Sequence, residues 1–170
     1  MKMDVTYHPD QDRIRLCLRT EQQSVDWWLT RRITLRLLQA LLQQLERVPL
    51  PALNQPWMPH PNEREIAQEH AMSLEFDALV ADDPGRSVQP SQPSQTGLLV
   101  NTASLTVRPT DTRLELVAGK NNATLNLTRM ESHALVEALA LMARKGQWLT
   151  SIDLPPWLGQ ATPGRAPSPG

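Results

Sequence analysis

The chain has 170 residues, a formal net charge of −1, 40% apolar and 21% charged residues, and one cysteine, Cys17. That length suits one domain, or two small halves sharing a core, and the near-zero charge gives no global attraction to nucleic acid or anionic membrane. One cysteine excludes an internal disulfide, no apolar run reaches the ~20 residues of a membrane span, and Met1-Lys2-Met3-Asp4 carries no apolar signal region. A cytoplasmic bacterial or phage-type protein is the expectation.

Asp4 to His8 reads as a short strand, turned by His8-Pro9-Asp10-Gln11-Asp12. Arg13 to Arg19 alternates, with Ile14, Leu16 and Leu18 on one side and Arg13, Arg15, Cys17 and Arg19 on the other. The chain returns with Val25, Trp27 and Leu29 on the apolar side, and Asp26, Trp28 and Thr30 pointing outward. A meander with one buried and one open face follows from this pattern. A helix is expected from about Arg32 to Arg47, because Leu37, Leu38, Leu41, Leu42, Leu45 and Val48 recur at helical spacing. Pro49 and Pro51 stop it.

Residues 49–61 are too rich in proline for regular structure. Asn62-Glu63-Arg64-Glu65 offers a capping box for a helix to about Phe76. Met72, Leu74, Phe76 and Ala78 also alternate, so residues 72–80 fit an extended end equally well. Residues 82–96 have the composition of a linker. A long strand is expected over Leu98 to Arg108, then Thr112 to Ala118, and a third in which Ala123, Leu125 and Leu127 face inward. The last helix runs from about Met130 to Lys145 and ends at Gly146. Trp148 and Leu149 should fold back onto it, and residues 159–170 read as a disordered tail.

Leu29-Thr30-Arg31 recurs as Leu127-Thr128-Arg129, and Pro56-Trp57-Met58 recurs as Pro156-Trp157-Leu158. Between them the helix apolar positions coincide, so the chain reads as an internal duplication. Thr30 and Thr128 stand where a hydroxyl caps the first turn of a helix. Only the second copy adds the glutamate of a capping box, Glu131, where the first has Ile33. The fold expected is α+β: two pseudo-symmetric repeats, each an antiparallel β-meander plus a helix packed on one face. Residues 1–60 form the first repeat and 97–158 the second, with a middle helix and linker over 61–96.

No chemistry-bearing motif stands out. His8, His60, His70 and His133 are far apart with no partnering cysteines, so no zinc pattern exists. No nucleophile elbow and no glycine-rich phosphate loop occurs, and no catalytic, metal or cofactor residue is assigned. An enzyme would need a cleft joining, for example, His8, His133 and a carboxylate. The asymmetry between the copies is more informative. Arg13, Arg15, Arg19 and Trp28 share the first open face, with Arg31 at its helix junction; the second face carries Arg113, Glu115, Val117, Thr124 and Asn126. Arginines around an aromatic suit a protein partner, or a single strand held by stacking and phosphate pairing.

The order of elements, a small meander then a helix and paired about a pseudo-twofold, resembles that of Whirly-type single-strand-binding domains. That likeness implies single-stranded nucleic acid as the alternative ligand. Pro156-Trp157 reads either as a plug over its own helix or as a polyproline-type ligand for a partner groove. A non-enzymatic interaction, adaptor or assembly protein is the leading expectation. Its surface would be the first sheet face or the Pro-Trp tail, its partner another protein or a second copy of itself.

Overall fold

The computed structural model describes residues 2–47, 62–81, 97–151 and 153–158. The expectations for the proline-rich stretch 49–61 with Pro56-Trp57-Met58, the linker 82–96 and the tail 159–170 lie outside the described residues. The fold is α+β, with strands β1 (Lys2–His8), β2 (Arg13–Arg19) and β3 (Ser24–Thr30) leading into helix α1 (Arg31–Arg47). Helix α2 (Glu63–Ala81) follows, then strands β4 (Leu98–Leu99), β5 (Thr102–Val107), β6 (Thr112–Ala118) and β7 (Asn121–Leu127), and helix α3 (Arg129–Lys145). The α2 helix continues to Ala81, so the alternation over residues 72–80 is not a strand.

The strands form two sheets, β1-β2-β3-β4 and β5-β6-β7. Each meander is antiparallel, but β4 lies parallel to β3 through Trp27–Leu98 and Trp28–Leu99. The single long strand expected over 98–108 therefore divides between the sheets. Val100 N–H still donates to the Trp28 carbonyl at 2.9 Å, whereas Asn101 N–H donates to the Val117 carbonyl at 2.8 Å. Gly97 makes the first approach feasible, because a Cβ there would overlap the Trp28 indole at Nε1 and Cδ1.

Both amphipathic helices cover the inner faces of both sheets and pack on each other. α1 touches β2, β3 and also β5; α3 touches β7 and also β1. This cross-packing buries Ile14, Leu16, Leu29, Leu38, Leu41, Leu45, Leu114, Leu116, Leu125, Leu127 and Leu139 in one core. Each such side chain contributes about 1.5–3 kcal/mol by leaving water. The two halves thus share a core, and the order strand-strand-strand-helix recurs in each.

Local chemistry explains the helix ends. At α3, Thr128 accepts from Glu131 N–H and Glu131 accepts from Thr128 N–H, the capping box read from the sequence. At α1, Thr30 Oγ1 accepts from Ile33 N–H at 3.4 Å, a longer and weaker cap. At α2, Asn62 and Glu65 cap each other reciprocally at 3.0 and 2.9 Å. Gly146 does not end α3 in the left-handed region; its φ is −78°, and Gln147 takes φ 58° instead. The glycine is needed for a different reason. A Cβ at 146 would lie 2.8 Å from Nε1 of Trp148, which folds back and is buried.

Trp148 also ties α3 to the first meander. Its indole N–H donates to Asp12 Oδ1 at 2.9 Å, and the Tyr7 hydroxyl donates to the same oxygen at 2.9 Å. Asp12 reaches them from a left-handed turn conformation, φ 48°. An aspartate tolerates that region better than most residues.

Candidate functional site

The outer face of the first meander is ordered in cross-strand rows fixed by the register. His8, Arg13 and Thr30 form one row, and Thr6, Arg15, Trp28 and Leu99 the next. Asp4, Cys17 and Asp26 form the third; Lys2, Arg19 and Ser24 form the fourth. Two of the arginines are held by carboxylates. Arg15 Nη1 lies 3.7 Å from Asp26 Oδ2, and Arg19 Nη2 lies 2.7 Å from Asp4 Oδ2.

Two residues expected to point outward are buried. Cys17 is 3% and Asp26 4% exposed, although both lie on the outer face. Their row is short-chained between rows of arginines, and polar partners close around it, as buried polar groups require. Cys17 Sγ lies 3.2 Å from Ser24 Oγ, and Asp26 is charge-paired with Arg15. Trp28 is half-buried on the same face. Its ring meets the His8 ring edge-on at 4.9 Å, and its indole lies against Gly97.

The other end of this face is cationic. Arg13 stands opposite Thr30, the residue before α1, and α1 opens with the exposed Arg31 and Arg32, followed by exposed Arg36. None of these four arginines has an ion pair among the described residues, and the first turn of α1 contains no acid. Cations at a helix N-terminus oppose the helix dipole by about 0.3–1 kcal/mol each. The equivalent corner of the second half is neutralised: Glu131 sits in the first turn of α3, and Arg129 is bound to Glu69. On the second open face Arg108 binds Asp111 and Asn126, and Arg113 binds Glu115, each at 2.6 Å.

The Pro-Trp segment is a plug rather than an exposed ligand. Pro156 is exposed, but Trp157 is 3% exposed. An indole offers a large apolar area, and here it covers the junction of α2 and α3. Its ring lies 5.0 Å from His70 and 5.9 Å from His133. Beside it, Glu46, Glu63, Ile66, Pro155, Pro156 and Trp157 line an open groove of about 320 Å³.

Beneath Trp157 the structure joins two histidines that lie 63 residues apart in sequence, and both are 0% exposed. His70 Nδ1 is 3.1 Å from His133 Nδ1, and His70 Nε2 is 3.1 Å from Glu137 Oε2. His133 Nε2 lies 3.2 Å from Glu69 Oε2. Glu69 Oε1 accepts from Arg129 Nε at 2.5 Å, and Arg129 Nη2 donates to the Leu45 carbonyl at 2.8 Å, so one guanidinium joins all three helices.

The electrostatics of this cluster follow from burial and pairing. Burial works to raise the Glu69 carboxyl, but His133 and Arg129 overcome it and hold the group below its ordinary range. His70 holds Glu137 low in the same way. Burial pushes the His133 imidazole below its ordinary range, against the pull of Glu69. No group of three or more His, Cys, Asp or Glu side chains among the described residues is arranged to hold a metal ion.

The register brings Arg13, Arg15, Arg19 and Trp28 onto one face, as expected, and Arg31 stands at its edge as the first residue of α1. Sequence reading missed the His70–His133–Glu69–Glu137–Arg129 cluster. Helical spacing puts Glu69 and His70 on α2, and Arg129, His133 and Glu137 one turn apart on α3. The charged and imidazole groups at 129, 133 and 137, spaced by four on the amphipathic α3, were the available signal. His8 is not part of this cluster; it packs on Trp28. No described helix is long and apolar enough to cross a membrane. No protein-family model, curated protein or solved structure matches the chain. The likeness to Whirly-type domains stays one of element order.

Proposed function

We propose that the chain is a non-enzymatic interaction protein that binds an acidic protein partner at the β3–α1 corner. The observation that carries this reading is the set of four arginines, Arg13, Arg31, Arg32 and Arg36, without an ion pair among the described residues. Folding gains nothing from placing cations at a helix N-terminus. A partner that supplies carboxylates there would gain from both the side chains and the dipole. Trp28 and Leu99, which is 41% exposed, flank this corner in the adjoining sheet row. They give it the aromatic and apolar contact common at interface centres. The buried Trp157 takes the Pro-Trp tail out of this reading, leaving the sheet corner as the surface.

Affinity capture followed by reconstitution with the purified partner tests the reading. An Arg31→Glu/Arg32→Glu variant should bind at least ~10-fold more weakly, about 1.4 kcal/mol, with a slower on-rate and less salt dependence. Equal affinity for wild type and the charge-reversed variant would refute it.

The half-buried Trp28 beside Arg13 supports a second reading, in which the face binds single-stranded nucleic acid. Trp28 would then be a stacking platform, and Trp28→Ala should cost about 1–3 kcal/mol. Affinity should fall with salt at a slope of roughly 0.7 per phosphate. Arg15 and Arg19, already paired to Asp26 and Asp4, weaken it relative to the first. An enzymatic role would most naturally use the His70–His133 cluster, but in this conformation neither ring presents surface to a substrate.

A further inference from the structure

The hydrogen bonds of the buried histidine pair leave one contact unfilled. Three contacts run in series: Glu137 Oε2 to His70 Nε2, His70 Nδ1 to His133 Nδ1, and His133 Nε2 to Glu69 Oε2. Each needs one proton, so the chain is complete with three, and two neutral imidazoles supply two. The assignment from the bonding network gives His70 Nε2–H to Glu137 and His133 Nδ1–H to His70. His133 Nε2 is then bare toward Glu69, and both of those atoms are buried without a hydrogen-bond partner. The unfilled contact is therefore this one. A proton entering it forms N–H on His133, makes that side chain an imidazolium, and pairs it with the Glu69 carboxylate 3.2 Å away.

The proton fills the contact, yet the closed site resists the charge. Glu69 faces it from α2, but that carboxylate already binds Arg129 of α3 through its other oxygen. Burial opposes a cation on His133, and the Arg129 guanidinium repels it as well. Glu137, with Arg144 nearby on α3, is engaged by His70. From α1 comes the Leu45 carbonyl, which serves Arg129. Residues 154–158 of the capping segment contribute no charged side chain at all. What separates the two rings from solvent on that side is Trp157, in edge contact with both, at the rim of an open groove. Water admitted by moving that indole would solvate the imidazolium; the cost is exposure of the buried Trp157 and Leu158, but no side-chain hydrogen bond of the indole, since Trp157 Nε1 has no partner where it sits.

We propose that His70 and His133 form a proton-operated clasp: uptake of one proton at the His133–Glu69 contact in mild acid releases Trp157 and the Pro155–Leu158 segment from the helix layer. The sign follows from linkage. His133 in the folded, closed state binds its proton less readily than a free imidazole, whose ordinary value is about 6.5. The closed state is therefore fully favoured above that value and loses ground as pH falls below it. Release of the segment restores ordinary proton affinity and opens the groove between Glu46, Glu63 and Ile66.

The test uses the full chain labelled with 5-fluorotryptophan and followed by fluorine NMR from pH 7.5 to 5.0. The Trp157 resonance is assigned by its absence from Trp157→Phe or, should that variant not fold, by through-space contacts to the two histidine rings. The expected result is movement of more than half of the Trp157 signal to a solvent-exposed position, with the Trp27 and Trp148 signals unmoved. The same midpoint should appear in a nitrogen-15 titration of the His133 ring in the wild-type protein. His133→Gln should hold Trp157 in place throughout. A Trp157 signal that stays buried while His133 takes up its proton overturns the proposal. So does a His133 ring that stays neutral to pH 5.0, or an unchanged response in His133→Gln. The wild-type titration decides the matter if the variant does not fold.

Discussion

Replacing Arg129 with alanine should destabilise the protein by about 3 kcal/mol and weaken its acid sensitivity at the same time. The side chains of Arg129 and Glu69 are each only 13% exposed, so this is a buried pair rather than a surface one. Removing one partner of such a pair costs about 3–5 kcal/mol, because the other charge is left without compensation. The lower end applies here, since the residual exposure screens Glu69 and Arg129 Nη1 has no partner. The Leu45 carbonyl loses its donor as well, which loosens the contact of α1 with α3. For a domain of this size the change corresponds to a fall in Tm of roughly 6–12 °C. Urea denaturation at pH 7.5 measures it, and a double-mutant cycle with Glu69→Ala isolates the pair. The coupling energy should lie above ~0.5 kcal/mol. The second readout is independent of the first. Without the guanidinium, Glu69 is freed for His133 and one repelling cation is gone, so His133 binds its proton more readily. The drop in stability between pH 7.5 and 5.5 should therefore be smaller in Arg129→Ala than in wild type. Additive costs in the cycle, or a steeper pH dependence in the variant, would refute the account of this cluster.

Thermal melts should separate the two helix caps: Thr128→Ala should lose about 1 kcal/mol, and Thr30→Ala clearly less, because its bond is 3.4 Å long and has no reciprocal glutamate. Equal losses would show that the capping box adds nothing. Gly97→Ala must displace the Trp28 indole, which the new Cβ would overlap. The expected loss is roughly 1–3 kcal/mol with a shift in tryptophan emission; an unchanged spectrum and Tm would contradict the close approach. Asp12→Ala removes the shared acceptor of Trp148 and Tyr7. A loss of about 1–3 kcal/mol in urea is expected from the buried Trp148 indole N–H left without its acceptor, and a neutral result would refute that role.

The strands, the two amphipathic helices and their caps were legible in the sequence because each is a local matter. Alternation in Arg13–Arg19, leucine spacing in Arg31–Arg47 and the Thr128/Glu131 box depend on a few neighbouring residues and a fixed backbone period. Exposure on the outer face was legible only in part. Period two assigned Cys17 and Asp26 to the correct side, but which atoms then closed over them depended on long side chains in adjacent rows. Gly146 stands at the C-cap of α3, where its sequence position put it, but the close approach of an indole two residues on was not legible there. The buried cluster was out of reach for a different reason. His70 and His133 meet because α2 and α3 pack, Trp157 covers them because the chain returns after Trp148, and Arg129 reaches Leu45 because α1 lies alongside α3. Residue types and spacings by themselves determined the elements and which face of each is apolar. Only tertiary packing decided which polar groups on those faces share a dry space, because that depends on the relative placement of three helices and a terminal segment, and no period within one element records it.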